Sequence, residues 1–345
     1  MTKDEQYMLR CLELASNGIC SVAPNPMVGA VILKDDQIIG EGYHQRFGEA
    51  HAEVNAINSV TNKQLLRNST MYVNLEPCVH FGKTPPCAEL IKEVGIPRVI
   101  IATSDPNPMV NGKGIDLLRR SGCQVLTGVL EKEANELNHR FFHFHRKGRP
   151  YFILKWAETE DGFIDKVRNT ADPLQPNWIT DDICRMLVHR WRTEEQAVMI
   201  GTNTALLDNP QLNSRYWPGN QPIKLIIDRE LKIPLNSKLF SYSAPLYIFN
   251  SIVNKDEGFI HYQKIDFGRI LDELIIFLSN KGIQSVMIEG GSRLIQSFID
   301  KGIWDEARIF TGPIRFDKGV KAPVISGNSM FDDEISNSRL RILRP

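Results

Sequence analysis

Apolar residues at Met8, Leu12 and Ala15, with Cys11 beside them, recur at helical spacing and predict a first helix over residues 5–16. Residues 28–33 then read as a strand, Asp35-Asp36 as the turn that follows, and residues 38–43 as its hairpin partner. From there helical and strand patterns alternate: helix at 52–60, strand at 70–75, helix at 87–94, strand at 98–102, helix at 114–121. A hairpin followed by such alternation predicts an α/β layer protein whose later strands run parallel. The basic and aromatic stretch 141–149, closed by Gly148 and Pro150, interrupts the pattern and marks a boundary between 1–147 and 148–345. A second α/β pattern restarts at 151–155. It continues with a helix at 181–192 and strands at 198–200 and 224–227, and closes with a strand at 285–288 and a helix at 293–300.

Length supports that division, since 345 residues are enough for two domains with separate cores. Lys and Arg balance Asp and Glu in both parts, 16 of each through Lys147 and 25 of each beyond it. Neither part carries the basic excess of a nucleic-acid binder. The polar start Met1-Thr2-Lys3-Asp4-Glu5-Gln6 does not read as a signal peptide, and no segment has the roughly 18 apolar residues of a spanning helix. Six cysteines without a dense framework predict reduced thiols in a soluble, cytoplasmic protein.

Three short motifs carry chemistry: His51-Ala52-Glu53, Glu76-Pro77-Cys78 and Pro85-Pro86-Cys87. One imidazole and two thiolates suit zinc, and three protein ligands leave a fourth position for water. Each ligand is expected at or near a helix start, where the partial positive charge favours thiolate. Two helical positions separate Glu53 from His51, a rotation of roughly 200°, so Glu53 serves as a proton shuttle rather than a ligand. Hydrolytic deamination of a ring amine is the reaction these groups fit. Singly, each motif is more often structural. A structural zinc site would need a fourth ligand, and Cys11, Cys20 and His80 lack the ligand-pair spacing.

His51-Ala52-Glu53 followed by Pro77-Cys78 and Cys87 resembles the cytidine-deaminase-like zinc deaminases. Eight residues stand between the two cysteines where the general signature has two. Asn25-Pro26-Met27-Val28-Gly29, Gly42-Tyr43-His44, Gly82-Lys83-Thr84-Pro85-Pro86-Cys87 and Asp105-Pro106-Asn107-Pro108 narrow the likeness to the bifunctional riboflavin-biosynthesis deaminase/reductases. That resemblance implies a cytidine-deaminase-like α/β/α domain losing the 2-amino group of a 2,5-diamino-6-ribosylaminopyrimidinone 5′-phosphate. It implies Asn25, His44, Lys83, Asp105 and Asn107 as substrate contacts. Read as residues alone, Lys83 suits a phosphate more than it suits a bare solvated loop, while Asn25 and Asn107, each before proline, could be mere turn residues.

In the second part, Glu289-Gly290-Gly291 ends an apolar strand and opens an amphipathic helix, where backbone N–H groups suit a phosphate, although a lone Gly-Gly is more often a tight connection. No Gly-x-Gly-x-x-Gly fingerprint is present. Thr180 is expected to cap the 181–192 helix, with Ile183, Leu187 and Trp191 as its apolar stripe. Arg185, His189 and Arg192 fall on another face. Such a row is usually solvated, although one arginine of it could clamp a phosphate. Lys155-Trp156-Ala157, Trp178-Ile179-Thr180, Gly201-Thr202-Asn203-Thr204, Asp208-Asn209-Pro210 and Glu289-Gly290-Gly291 resemble the reductase half of the same family, similar in fold to dihydrofolate reductase. The resemblance implies NADPH-dependent reduction of the ribosyl chain to ribityl. Ala157, Trp178, Thr204, Asp208, Arg229, Gly290 and Gly291 would contact cofactor, and Arg192, Leu212, Arg215 and Glu289 substrate. Lys155 and Glu289 are the implied catalytic pair. Arg229 and Pro176 depart from the small hydroxyl and polar residues usual at their positions.

The expected partner is therefore a small pyrimidine ribosyl phosphate, with zinc and NADPH as cofactors, no nucleic acid or membrane, and a homo-oligomeric assembly. The competing readings are a deaminase of another pyrimidine or of nucleic acid, and a single-activity protein with a C-terminal association domain.

Overall fold

The computed structural model describes residues 1–79, 85–169, 172–241 and 243–345. Its contacts separate two units, Met1–Gly148 and Arg149–Pro345.

The first unit runs α1 (Lys3–Ser16), β1 (Gly29–Lys34), β2 (Gln37–Tyr43), α2 (Ala52–Ser59), β3 (Thr70–Leu75), α3 (Cys87–Val94), β4 (Arg98–Thr103), α4 (Lys113–Arg120), β5 (Gln124–Thr127), α5 (Glu131–Leu137) and α6 (His139–Lys147). Its five described strands form one sheet in the order β2-β1-β3-β4-β5. β1 is antiparallel to both neighbours, and β3, β4 and β5 are parallel. Alternation along β1 divides the core. Ala30 and Ile32 pack with α2, α3 and α4 around Ile57, Ile91 and Leu118, while Val31 and Leu33 pack with α1 and α5 around Met8, Leu12 and Ala134. Helices thus cover both faces, the expected α/β/α layering. α1 begins two residues earlier than its apolar spacing suggests because Thr2 and Glu5 form a reciprocal capping box. Gly29 is required where α1 crosses β1, since a Cβ there would lie 2.2 Å from the Cys11 carbonyl oxygen.

The stretch read as a boundary is mostly α6. Phe141 and Phe142 are buried against Leu75, and the helix stops at Gly148, whose φ of 66° is the left-handed conformation glycine adopts freely. α5 and β5 escape the periodicity reading because each buries little; Ala134 is the buried residue of α5.

The second unit contains β6 (Tyr151–Thr159), β7 (Phe163–Asp165), α7 (Asp182–Glu194), β8 (Ala197–Gly201), α8 (Thr202–Asp208), β9 (Ile223–Ile227), β10 (Leu246–Asn250), β11 (Lys255–Glu257) and β12 (Ile260–Lys264). It goes on through α9 (Ile270–Asn280), β13 (Ser285–Gly290), α10 (Ser292–Lys301), β14 (Glu306–Gly312), β15 (Val320–Lys321), β16 (Asn328–Ile335) and β17 (Ser338–Arg344). The main sheet of described strands has the order β11-β12-β10-β9-β8-β13-β6-β14-β17-β16. From β12 to β14 the pairs are parallel, and β11, β17 and β16 join antiparallel. Phe152, Leu154 and Trp156 of β6 face the cluster with Leu274 of α9 and Phe298 of α10, while Tyr151 and Ile153 face that of α7 and α8.

α7 corrects two expectations. Its N-cap is Asp181, whose carboxylate accepts from the Cys184 N–H at 3.0 Å, in place of Thr180. Its buried side is Cys184, Val188 and Trp191, with Ile183 56% exposed, so the helix is rotated from the predicted stripe. The row containing His189 and Arg192 consequently faces a cavity instead of bulk solvent. Among the described residues no helix is long and apolar enough to cross a membrane.

Candidate active sites in the two units

In the first unit His51 is the N-cap of α2, Cys87 opens α3, and Cys78 stands in the loop after β3, away from any helix start. His51 Nδ1 lies 3.2 Å from Cys87 Sγ and 3.5 Å from Cys78 Sγ, and the three ligand atoms fall within 4.8 Å of one another. Zinc bonds of about 2.0–2.3 Å arranged tetrahedrally require ligand atoms about 3.5–3.8 Å apart. The donor set therefore fits zinc in both chemistry and spacing. The Cys87 thiol, aided by His51 and the Cys87 N–H, holds Cys78 well below the usual thiol range, and that same contact pushes Cys87 up. Glu53, second residue of α2, is 3% exposed, and burial pushes its carboxyl up to about 7.

A cavity of about 280 Å³ collects His51, Glu53, Cys78, Asn25, His44, Asp105 and Asn107, with Phe141 of α6 on its wall. Lys83 lies outside the described residues. His44 is buried and lowered by that burial. Its Nδ1 must donate to the Ala50 carbonyl at 3.0 Å, leaving Nε2 to accept from Asn25 Nδ2 at 3.1 Å, which orients the Asn25 carboxamide. The Asn25 loop is pinned further on. Asn74 Oδ1 accepts from Gly29 N, Asn138 Oδ1 accepts from Met27 N, and both side chains donate to the Met27 carbonyl.

Glu76 does for the opposite wall what these asparagines do for Asn25. Its Oε1 accepts from Gly114 N at 2.8 Å and Ile115 N at 3.3 Å, and its Oε2 from Gly112 N at 2.9 Å and Asp105 N at 3.2 Å. A buried carboxylate thus caps the first turn of α4 from outside the helix and ties it to the loop bearing Asp105. Asp105 in turn accepts from Asn107 N at 2.8 Å. The motif reading missed this role because every partner of Glu76 is a backbone N–H, which leaves no mark in the sequence.

The second cavity, about 920 Å³, opens at the carboxyl ends of β6, β8, β9 and β13, where parallel α/β sheets bind ligands. It brings together Lys155, Ala157, Trp178, Arg192, Thr204, Asp208, Leu212, Arg215, Glu289, Gly290 and Gly291, and Pro176 also lines it. Arg229 is not among the lining residues; it is exposed, with its guanidinium 5.6 Å from the centre of the Phe267 ring. A Cβ on Gly290 or Gly291 would come 3.2 Å from Thr204 Oγ1, so both glycines keep that approach open. Leu212 is buried at a φ of 53°, a left-handed conformation rare for leucine.

Arg192 and Glu289 are each other's partners. Nε and Nη2 each donate to one Glu289 oxygen at 2.6 Å, while Nη1 donates to the Asn213 carbonyl at 2.8 Å. Burial pushes Glu289 up, and the charge and hydrogen bonds of Arg192 outweigh it, so the group stays a carboxylate. Beside it Lys155 is lowered by burial, with Glu289 opposing the shift. Arg168, unforeseen from sequence, ties Asp208 to Asp165 through contacts of 2.6 and 2.7 Å and donates to the Leu207 and Gln175 carbonyls.

Comparison with known proteins adds family to geometry. Residues 150–338 match the RibD C-terminal domain, and residues 1–103 match the cytidine and deoxycytidylate deaminase zinc-binding region. The riboflavin biosynthesis protein RibD of Bacillus amyloliquefaciens is 40% identical over 334 residues, covering 94% of this chain and 88% of that protein. The chain belongs to the RibD family. RibD of Escherichia coli K12 is 33% identical, with 90% of this chain and 88% of that protein covered. Among solved structures, Acinetobacter baumannii RibD superposes with a TM-score of 0.90 at 32% identity over 99% of each chain. The Thermotoga maritima diaminohydroxyphosphoribosylaminopyrimidine deaminase/5-amino-6-(5-phosphoribosylamino)uracil reductase gives 0.89 at 36%, again over 99% of each. As a RibD protein the chain is a bifunctional deaminase/reductase of riboflavin biosynthesis, zinc-dependent in its first activity and NADPH-dependent in its second. The dihydrofolate-reductase-like expectation for the second half agrees with those structures.

Proposed function

We propose that the first cavity deaminates 2,5-diamino-6-ribosylamino-4(3H)-pyrimidinone 5′-phosphate to 5-amino-6-(5-phosphoribosylamino)uracil, and that the second reduces the ribosyl chain of that product to ribityl. The observation carrying this reading is the meeting of His51, Cys78 and Cys87 around one point, with the buried Glu53 on the same cavity. These three residues would hold the metal, which when bound lowers the pKa of a coordinated water to roughly 7. Glu53, near neutrality through burial, moves the protons: it accepts one from water and passes it to the ring nitrogen, then takes the proton of the added hydroxyl and delivers it to the departing amine, which leaves as ammonia. Asn25, oriented by His44, and Asn107, held by Asp105, offer paired donors and acceptors to the pyrimidine edge and ribose. Lys83 completes the set as a phosphate contact.

In the second cavity the hydride belongs to the nicotinamide, and the protein's work is orientation and proton supply. Ala157, Trp178, Thr204, Asp208, Gly290 and Gly291 line the cofactor's side, and Leu212, Arg192 and Arg215 the substrate's. Lys155, desolvated beside the ionised Glu289, is the group to protonate the opening sugar. The six free cysteines support a cytoplasmic setting, and the exposed Met330 and Phe331 on edge strand β16 support a homo-oligomer.

A coupled assay tests the whole. Ammonia release from the diaminopyrimidine ribosyl phosphate should require zinc and vanish in Glu53→Gln, while that variant still oxidises NADPH with supplied 5-amino-6-(5-phosphoribosylamino)uracil. A second half inert toward that product with NADPH would refute the reductase assignment.

A further inference from the structure

We propose that His189 is the proton-accepting member of a phosphate clamp in the second cavity. As the substrate's phosphate seats beside Arg185, Arg215 and His189, the imidazole takes a proton from solvent and holds it toward a phosphate oxygen, so binding consumes a proton. This rests on the reading that the cavity takes a ribosyl phosphate.

His189 lies four residues after Arg185 and three before Arg192, on one face of α7, and that face lines the cavity. His189 is only 4% exposed, and its Nδ1 is buried without a hydrogen-bond partner. An unsatisfied buried nitrogen is unfavourable, and a ligand relieves that cost by charging and anchoring the ring. Tyr216 meets the imidazole edge-on at 4.7 Å between centroids and fixes its plane.

The charges around it come from several elements. Arg185 and Arg192 stand on α7 itself, Arg215 on the loop after α8, Glu289 on β13, and Lys155 on β6. Burial first, then Arg192 and Arg215, lower His189 to about 4, with Glu289 opposing. The empty cavity therefore holds a neutral imidazole. Arg192 is committed to Glu289 and the Asn213 carbonyl. Arg185 pairs with Asp182 and covers the Trp178 ring, and Arg215 covers Tyr216 and donates to Asn213 Oδ1. Each nearby opposite charge raises a pKa by about 1–3 units, so a phosphate dianion would bring His189 into the range of roughly 6–7.

The test uses ribose 5-phosphate and the full-length protein. Isothermal titration at pH 6.0, in two buffers of different protonation enthalpy, counts protons taken up by wild type and by His189→Gln. The difference between the two proteins cancels the ligand's own ionisation. Wild type should take up about three-quarters of a proton more per ligand, and the variant's affinity loss should be about fourfold greater at pH 6.0 than at pH 8.0. Equal uptake by two proteins that both bind overturns the proposal. So does an imidazole ¹⁵N spectrum of wild type in which His189 stays neutral when bound, a readout independent of whether the variant folds. Ribose 5-phosphate failing to bind either protein, while both still bind NADPH, would instead defeat the phosphate reading and carry the proposal down with it.

Discussion

Replacing Glu76 by glutamine preserves shape and removes charge. Its four backbone donors divide into two pairs, Gly114 and Ile115 on Oε1, Gly112 and Asp105 on Oε2. A glutamine can serve one pair with its carbonyl oxygen but must turn its NH₂ toward the other, setting donor against donor. Two hydrogen bonds to an ionised group are then lost, each worth about 1.5–3 kcal/mol, for a total of about 3–6 kcal/mol. For a unit of this size each kcal/mol moves Tm by about 2–4 °C, so the first unit should melt roughly 6–24 °C lower. Calorimetry with a zinc assay on the same samples reads both consequences, because Cys78 is two residues from the damaged cap. NADPH oxidation with supplied product should persist in Glu76→Gln, showing that the second unit is intact. A Tm within about 2 °C of wild type, with full zinc content, would refute the claim that this carboxylate holds the wall together.

Two further outcomes follow from buried charge. Arg192→Met strands the Glu289 carboxylate, whose side chain is 8% exposed, and should cost about 3–5 kcal/mol; Arg192→Met with Glu289→Met should recover most of the Tm while remaining unable to oxidise NADPH. An unchanged Tm in the single variant would count against the pair. Asp105 is pushed up to about 7 by burial, above its ordinary 3.8, so between those values the folded protein binds more protons than the unfolded chain. Its contribution to stability therefore falls as pH rises from about 4 to 7. In chelator-treated protein Asp105→Asn should gain Tm relative to wild type across that window, and a pH-independent difference would refute the assignment.

Strands with strict alternation or continuous burial were legible in the sequence, as β1, β3 and β13 show, because a two-sided core leaves its period in the residues. β16 was not, being a polar, exposed edge. The stripe on α7 misled because Ile183 is apolar yet faces outward, while small Cys184 and polar His189 point inward. At the sites, ligand identity was readable from residue type and order. The second tier was hidden: Glu76, Asn74 and Asn138 act on main-chain groups, and Arg168 joins segments forty residues apart. Arg229 was carried over by position, and the structure turns it onto Phe267.

Met27 lies 111 residues before Asn138, yet that single carboxamide reads both its N–H and its carbonyl. A chain trimmed to end after β5 would keep every zinc ligand and Glu53, but would release the Asn25 segment and uncover the Phe141 side of the pocket. Anyone dividing this enzyme into separate halves should therefore cut beyond Gly148, since the last helix is mortar for the first catalytic chamber rather than spare rope.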